Sequence, residues 1–408
     1  MKKTSFNKDK IKVLLLENIH HRAVDLFEKE EYQVKSISSA LDEDELVKEL
    51  DGVRILGIRS KTQISKSLLE RTPQLLAIGV FGIGTNHVDL AACDSHGVVV
   101  FNAPFSNTRS VVELALGEML MLLRKVFEKS NKLHNGEWEK SATQCFEARG
   151  KRLGIVGYGN IGSQLSILAE ALGMEVFFYD VAQKLALGNV KSCKTLRELL
   201  QKVDVVTLHV DGRPENKGLI GKKELLYMRK GSYLINMSRG NIVDIQALAT
   251  CISDGHLAGA AVDVFPEEPK NNDESFLSPL QEFQNVILTP HVGGSTKEAQ
   301  ENIAGYVPVR MIDFINTGNT SMSANFPNLL PPPLKNSHRI IHIHQNIPGM
   351  LAKVNGVFAD HKINIIGQYL RTNERIGYTI TDIETKNDGG ITRLLKSIPG
   401  TIKVRILY

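Results

Sequence analysis

The chain is short of cysteine, of tryptophan, of long apolar runs and of any excess of charge. Each shortage excludes something. The four cysteines among 408 residues, Cys93, Cys145, Cys193 and Cys251, form no C-x-x-C pair and no other metal-ligand spacing. They read as reduced cytosolic thiols rather than as a metal framework. No stretch approaches the roughly 20 apolar residues that span a bilayer. The apolar run at 13–16, behind a polar, lysine-rich start, is too short for a signal-peptide core. The expected setting is cytoplasmic, with no membrane partner. Forty-nine basic residues stand against 45 acidic ones, a net charge of +4. They are interspersed, which argues against a nucleic-acid-binding tail and leaves room only for a local anion site. Four of the fourteen prolines fall close together: Pro327, Pro331, Pro332 and Pro333 mark a stiffened linker.

Apolar residues are plentiful. At 42% hydrophobic and 23% charged residues, the chain can bury the cores of two or three domains. The most informative stretch is residues 153–180. An apolar run leads into Gly157-Tyr158-Gly159-Asn160-Ile161-Gly162, a helical pattern follows at 163–173, and a second apolar run at 175–179 ends at Asp180. Strand, glycine turn, helix, strand and acid is the order of a dinucleotide-binding βαβ unit. Gly157 permits the tight turn, Gly159 the approach of a pyrophosphate, and Gly162 the close packing of helix on strand. The helix N-terminus offers N–H groups to phosphates, and Asp180 stands where a ribose diol would be bound.

Around this unit, strands and helices alternate. Strands are expected at 11–16, 32–37, 55–58, 75–80 and 98–101, with helices at 20–30 and 41–50. A strongly apolar helix spans 111–124. Further strands are expected at 203–209, 233–236, 257–264 and 286–288, and a helix at 296–316 is placed to cross back to the first unit. Such alternation implies parallel sheets covered on both faces. Past the prolines the pattern changes to strand 339–344, helix 348–361, strands 364–371 and 378–384, helix 391–397 and strand 402–407. That is βαββαβ, a ferredoxin-like domain.

Three polar residues follow strands of the second sheet: Arg239, Glu268 and His291. Moving a hydride to or from a 2-hydroxy acid needs a cation for carboxylate and carbonyl, which Arg supplies in bidentate form. It needs an acid/base near neutral pH, which suits His, and a carboxylate to orient that imidazole. In the first sheet, Arg59-Ser60-Lys61-Thr62 makes a basic, hydroxyl-rich loop at a strand's carboxyl end, where open α/β sheets bind ligands.

These motifs resemble the D-isomer-specific 2-hydroxyacid dehydrogenases over essentially the whole chain. The marks are residues 157–162, Asn236-Met237-Ser238-Arg239-Gly240, Asp263-Val264-Phe265-Pro266-Glu267-Glu268-Pro269 and Thr289-Pro290-His291-Val292-Gly293-Gly294. Residues 101–111, Phe146-Glu147-Ala148-Arg149-Gly150, Gly293-Gly294-Ser295-Thr296 and Ile398-Pro399-Gly400-Thr401 resemble the branch that oxidises 3-phospho-D-glycerate and carries a C-terminal ACT domain. The resemblance implies Arg239, Glu268 and His291 as the catalytic set. It implies NAD as cofactor, held by Gly157, Gly159, Asn160, Ile161, Gly162, Asp180, Met237, Ser238, Arg239, Asp263, His291, Val292, Gly293 and Gly294. It places 3-phosphoglycerate on Arg59, Ser60, Lys61, Gly82, Ile83, Asn107 and Lys140. It implies L-serine as effector at His344, Asn346 and Asn364, across paired ACT domains of a homotetramer. Ile347 stands where relatives often carry Arg.

The expected fold is therefore α/β: two doubly wound parallel-sheet domains, a flavodoxin-like substrate domain and a Rossmann NAD domain, plus a ferredoxin-like βαββαβ ACT domain. The expected boundaries are 1–106 with 296–330, 107–295, a linker at 331–337, and 338–408. Competing readings are another D-2-hydroxyacid substrate, a side activity reducing 2-oxoglutarate, or a non-enzymatic NAD(H)-sensing protein of co-repressor type.

Overall fold

The alternating pattern yields two parallel sheets, and the pattern past the prolines yields an antiparallel one. The computed structural model describes residues 7–269, 273–333, 337–384 and 390–407. In the first sheet, β1 (Lys12–Leu15), β2 (Gln33–Ser36), β3 (Val53–Ile58), β4 (Ala77–Val80) and β5 (Val99–Phe101) pair in the order β2-β1-β3-β4-β5. All the pairings are parallel, which is the flavodoxin-like order. The connecting helices are α1 (Arg22–Lys29), α2 (Glu43–Glu49), α3 (Lys66–Arg71) and α4 (Leu90–His96). Asp42 opens α2 with a capping box: it accepts from Glu45 N at 2.8 Å, and the Glu45 carboxylate reaches back to Asp42 N. Helices α3 and α4, like four helices of the second unit described next, are absent from the sequence reading. At six to nine residues they show little of a helical period.

The nucleotide-type unit begins with α5 (Thr108–Arg124) and α6 (Val126–His134). Then come β6 (Arg152–Val156), α7 (Asn160–Ala171), β7 (Glu175–Tyr179), β8 (Lys191–Ser192), α8 (Leu196–Lys202), β9 (Val205–Leu208), α9 (Lys222–Tyr227), β10 (Ser232–Asn236), α10 (Ile245–Ser253), β11 (Leu257–Val262) and β12 (Val286–Leu288). The seven strands run in the order β12-β11-β10-β9-β6-β7-β8. The order reverses between β6 and β9, the switch point where such sheets take ligands. Helices α5 and α7 cover one face, with Val112, Met119, Leu165 and Ala169 against Leu153, Ile155 and Val205. Helices α8, α9 and α10 cover the other. Helix α7 starts at Asn160, three residues earlier than its pattern suggests. Its first turn contains Gly162, a poor helix former that hides the boundary.

The chain then enters α11 (Lys297–Thr317). Ala299, Ile303, Val307, Met311 and Ile315 are buried at a spacing of four. A Cβ on Gly79 of β4 would lie 2.5 Å from Met311 Sδ and 2.7 Å from a Val307 methyl, so a glycine there lets α11 lie directly on the first sheet. The last segment is β13 (His338–Gln345), α12 (Met350–Asp360), β14 (Ile365–Thr372), β15 (Ile376–Ile383), α13 (Gly390–Ser397) and β16 (Thr401–Leu407), in the antiparallel order β14-β15-β13-β16. Of the expected linker, residues 334–336 lie outside the described residues.

Two compact units result: Met1–Ser106 with Gln300–Tyr408, and Asn107–Ala299. The C-terminal sheet therefore does not stand apart from the first sheet. On one face, Ile341, Ile343, Tyr378 and Ile380 share a single core with Phe101, Phe314 and Ile303. On the other, Ile340 and Val404 pack against Met350, Val354, Phe358 and Leu395 of α12 and α13. Every residue of β15 is buried. Polar ties reinforce the packing. Arg339, fully buried, donates to both oxygens of Asp382 at 2.8 Å and to the carbonyls of Thr317 and Pro332 at 2.9 Å. Arg375 pairs with buried Asp94 of α4 at 2.8 Å, and Lys403 donates to the Leu75 carbonyl at 2.8 Å.

Candidate active site

Local sterics require two of the three glycines of the turn, Gly157 and Gly162. Gly157 has φ +91, and a Cβ on it would lie 2.6 Å from the His209 carbonyl oxygen. A Cβ on Gly162 would lie 2.4 Å from the Gly157 oxygen, whereas nothing lies within 4 Å of one on Gly159. Gly159 is the N-cap of α7, so Asn160 and Ile161 occupy the first turn, whose N–H groups have no intrahelical partner. Asp180, at the end of β7, accepts from Tyr158 N at 2.8 Å and from Ala182 N at 2.9 Å. These bonds hold its carboxylate beside the turn. An open helix N-terminus with an acid fixed next to it fits a dinucleotide's pyrophosphate and ribose. His209, just past β9 and beside the turn, enters the sequence reading only as the end of a strand. Burial pushes its imidazole down to about 3, so it is neutral.

Arg239, Glu268 and His291 follow β10, β11 and β12. The Asn236 side chain shapes the first turn: its oxygen accepts from Ser238 N and Ser238 Oγ at 3.1 and 2.9 Å, and its nitrogen donates to the Arg239 carbonyl at 3.2 Å. Met237 and Ser238 are buried beneath that turn. Arg239 Nη1 donates to the Ser238 carbonyl at 2.6 Å. Gly240 backs directly onto the next loop; a Cβ there would lie 1.8 Å from the Phe265 carbonyl carbon. Glu268 accepts from Phe265 N at 3.0 Å with one oxygen and meets His291 Nδ1 at 2.8 Å with the other.

The electrostatics follow from these contacts. The hydrogen bond to Glu268 raises the His291 pKa above its ordinary value, against the opposing effect of burial, and Arg239 lowers it in part. For Glu268, burial works upward, but the bonds from His291 and Phe265 N more than offset it, and the carboxyl titrates below its usual range. Burial lowers the Arg239 pKa, while the charges of Glu268 and Asp211 favour its cationic form. The three residues thus sense one another electrostatically. With Nδ1 bonded to a carboxylate, His291 is left with Nε2 to exchange a proton.

The loop carrying His291 hangs from Asp263. That buried carboxylate accepts from Val292 N and Gly293 N at 2.8 and 2.9 Å and from Thr289 Oγ1 at 2.7 Å. The Asp263 carbonyl accepts from His291 N at 2.8 Å. His291 itself has φ 52, a left-handed conformation uncommon for a residue with a side chain. At Gly294 a Cβ would lie 2.2 Å from Asn107 Nδ2. Sequence reading missed Glu118 on α5. It is buried, its Oε1 lies 3.4 Å from Thr289 Oγ1, and burial together with Asp263 pushes its carboxyl up to about 8. An acid inside an apolar helix gives no periodic signal of its own.

In the other unit, Arg59, Ser60 and Lys61 follow β3, and Gly82 and Ile83 follow β4. The carbonyls of Gly82 and Ile83 accept from Ala103 N at 2.9 Å and Asn102 Nδ2 at 2.6 Å. Asn107, the N-cap of α5, and the exposed Lys140 belong to the nucleotide-type unit. Of the effector candidates, His344 is buried in β13, bonded to the Gln345 carbonyl at 2.8 Å and to Thr379 Oγ1 at 3.2 Å. Asn346 donates to the Asn373 carbonyl at 2.7 Å. Asn364 precedes β14, exposed. The register places Gln345 opposite Ile376, but Ile365 opposite Ile383. Asn346 and Asn364 therefore lie at opposite ends of β15, roughly 20–25 Å apart at about 3.4 Å per residue. One chain does not bring them together.

Comparison with known proteins gives a consistent picture. Residues 116–293 match the D-isomer specific 2-hydroxyacid dehydrogenase NAD binding domain, and residues 340–404 match the AHAS small subunit-like ACT domain. The D-3-phosphoglycerate dehydrogenase of Haemophilus influenzae is 49% identical over 407 residues, covering 100% of this chain and 99% of the relative. That of Escherichia coli strain K12 is 49% identical over 411 residues, with 100% of both chains covered. Among solved structures, D-2-hydroxyisocaproate dehydrogenase superposes with a TM-score of 0.70 at 25% identity, over 77% of this chain and 100% of the other.

Proposed function

Since the chain belongs to the D-3-phosphoglycerate dehydrogenases, within the D-isomer-specific 2-hydroxyacid dehydrogenase family, we propose that it oxidises 3-phospho-D-glycerate to 3-phosphohydroxypyruvate with NAD, the entry to serine synthesis. The observation that carries this reading is the 2.8 Å pair of His291 and Glu268 on the carboxyl edge of an NAD-binding sheet. NAD, when bound, supplies the acceptor for the hydrogen carried on C2. The first turn of α7 and Asp180 hold its pyrophosphate and ribose. Arg239 engages the substrate carboxylate and C2 oxygen through guanidinium N–H groups beyond the one given to Ser238. Nε2 of His291 takes the C2 hydroxyl proton, and Glu268 stabilises the imidazolium that results. In the first unit, recognition of the phosphate falls to Arg59, Ser60 and Lys61, with Gly82 and Ile83 nearby in the chain order of the same sheet edge. In the nucleotide unit, Asn107 and Lys140 are the further candidates for substrate contact.

The ACT domain is the regulatory module of this reading, with L-serine as effector. The opposite placement of Asn346 and Asn364 along β15 supports a site shared between two copies, as in a homotetramer. The four free thiols suit a reducing cytoplasm. The deciding experiment is NADH formation from 3-phosphoglycerate and NAD, with and without L-serine. Turnover that serine suppresses is the expected result. Absence of turnover alongside tight NADH binding would instead favour a non-catalytic NAD(H) sensor.

A further inference from the structure

Two residues beyond β1, at the carboxyl edge of the first sheet, the buried side chain of Glu17 turns toward the loop that follows β3. One carboxylate oxygen accepts from Ser60 N and Lys61 N, both at 2.9 Å, and the other accepts from Thr62 N at 2.9 Å. Three consecutive amide N–H groups are therefore consumed by one side chain. Successive N–H groups of this kind otherwise form a concavity that binds anions through the backbone. Here Glu17 occupies that concavity, and only the side chains of Arg59, Ser60 and Lys61 remain to meet an anion. Glu17 and Asn18 both have positive φ, 61 and 53, a strained turn that persists only where its surroundings fix it. His87, buried beside Glu17, meets the Arg59 backbone from another element, and burial keeps its imidazole neutral. Burial would raise the Glu17 pKa, but the N–H groups of Thr62 and Lys61 more than offset it, so the residue is a carboxylate at neutral pH.

We propose that Glu17 is the positioning residue of the anion seat. As an internal carboxylate it fills the loop's backbone donors, fixes the directions of Arg59 and Lys61, and makes phosphate recognition depend on side-chain cations alone. This rests on the reading that Arg59 and Lys61 receive the substrate phosphate. A purely electrostatic account makes the opposite prediction, because removing a negative charge beneath the seat would tighten phosphate binding.

The test is steady-state kinetics of the full-length enzyme carrying Glu17→Gln, Glu17→Ala, Arg59→Ala or Lys61→Ala, with NADH binding and circular dichroism as checks of folding. For Glu17→Gln, KM for 3-phosphoglycerate should rise roughly ten- to a hundredfold, because small misplacements of binding groups have effects of that order. Its kcat should change by less than about threefold, and NADH affinity should be unchanged. Formate added to Glu17→Ala should recover part of the lost KM, since a small carboxylate can re-enter the vacated concavity. An unchanged or lowered KM in both Glu17 variants, with KM raised in Arg59→Ala and Lys61→Ala, would overturn the role of Glu17. An unchanged KM in Arg59→Ala and Lys61→Ala would instead remove the reading on which it rests.

Discussion

At the scale of single residues, the proposed chemistry concentrates where strands end. On that proposal His291 has to be neutral to accept a proton, and its pKa is raised by Glu268. The rate of oxidation should therefore fall as pH drops through a value above the ordinary 6.5 of histidine. Replacing Glu268 with Gln removes the charge that raises that pKa. The acid limb of the kcat/KM profile should then move to lower pH, and a limb that stays in place would refute the coupling. His291→Ala should lower kcat by roughly 10²–10⁴, measured as NADH formation at saturating substrate. The placement of Arg239, Glu268 and His291 at strand ends was legible because each stands past an apolar strand, in a motif with proline or glycine beside it. Glu17 and Glu118 were not. Their importance comes from what faces them across the fold, 43 residues away for Ser60 and 171 for Thr289, and nothing local marks an acid as buried.

At the scale of elements, the strands other than the two-residue, exposed β8 were read close to their observed limits, because apolar runs bounded by polar turns leave little freedom. Several helices of six to nine residues escaped, since about two turns show little of a face, whereas α2, of similar length, was read with Asp42 at its start. Arg339 shows what an element's end can depend on. It ties the last turn of α11, the proline segment and β15 through four hydrogen bonds. Arg339→Leu leaves Asp382 buried without its cation. Loss of one member of a buried pair typically costs about 3–5 kcal/mol, and chemical denaturation of the variant should show a loss of that order. A loss under about 1 kcal/mol would mean that water replaces the guanidinium.

At the scale of the whole molecule, the topologies were legible and the packing of the C-terminal sheet was not. A surface that joins two sheets has no period distinct from that of either. The β14–β15 turn illustrates the result. Asn346 bonds its backbone at Asn373 and Arg375, Arg375 pairs with Asp94 on α4, and Asn325 also bonds Asp94 at 2.9 Å. On the reading that serine binds beside Asn346, Arg375→Ala should leave serine binding intact and weaken inhibition. Changes along such connected networks amount to about 0.5–2 kcal/mol of coupling, roughly two- to thirtyfold in the ratio of serine affinities with and without substrate. Equal inhibition in the variant would dissociate this turn from regulation.

The shared core of the first and third sheets has a consequence for modularity. A sensor domain is commonly pictured as cargo that a parent enzyme can gain or shed. Here shedding it would uncover Phe314 and Phe326, which meet Arg405 and Tyr378 of the third sheet, an apolar surface that promotes aggregation once exposed. A chain ending at residue 330 should therefore be recovered as insoluble or partly unfolded protein, and the intact chain should lose its first and third sheets in one thermal transition. The regulator is in this sense a structural part of the catalyst, so an unregulated form is more readily reached by point substitution than by truncation.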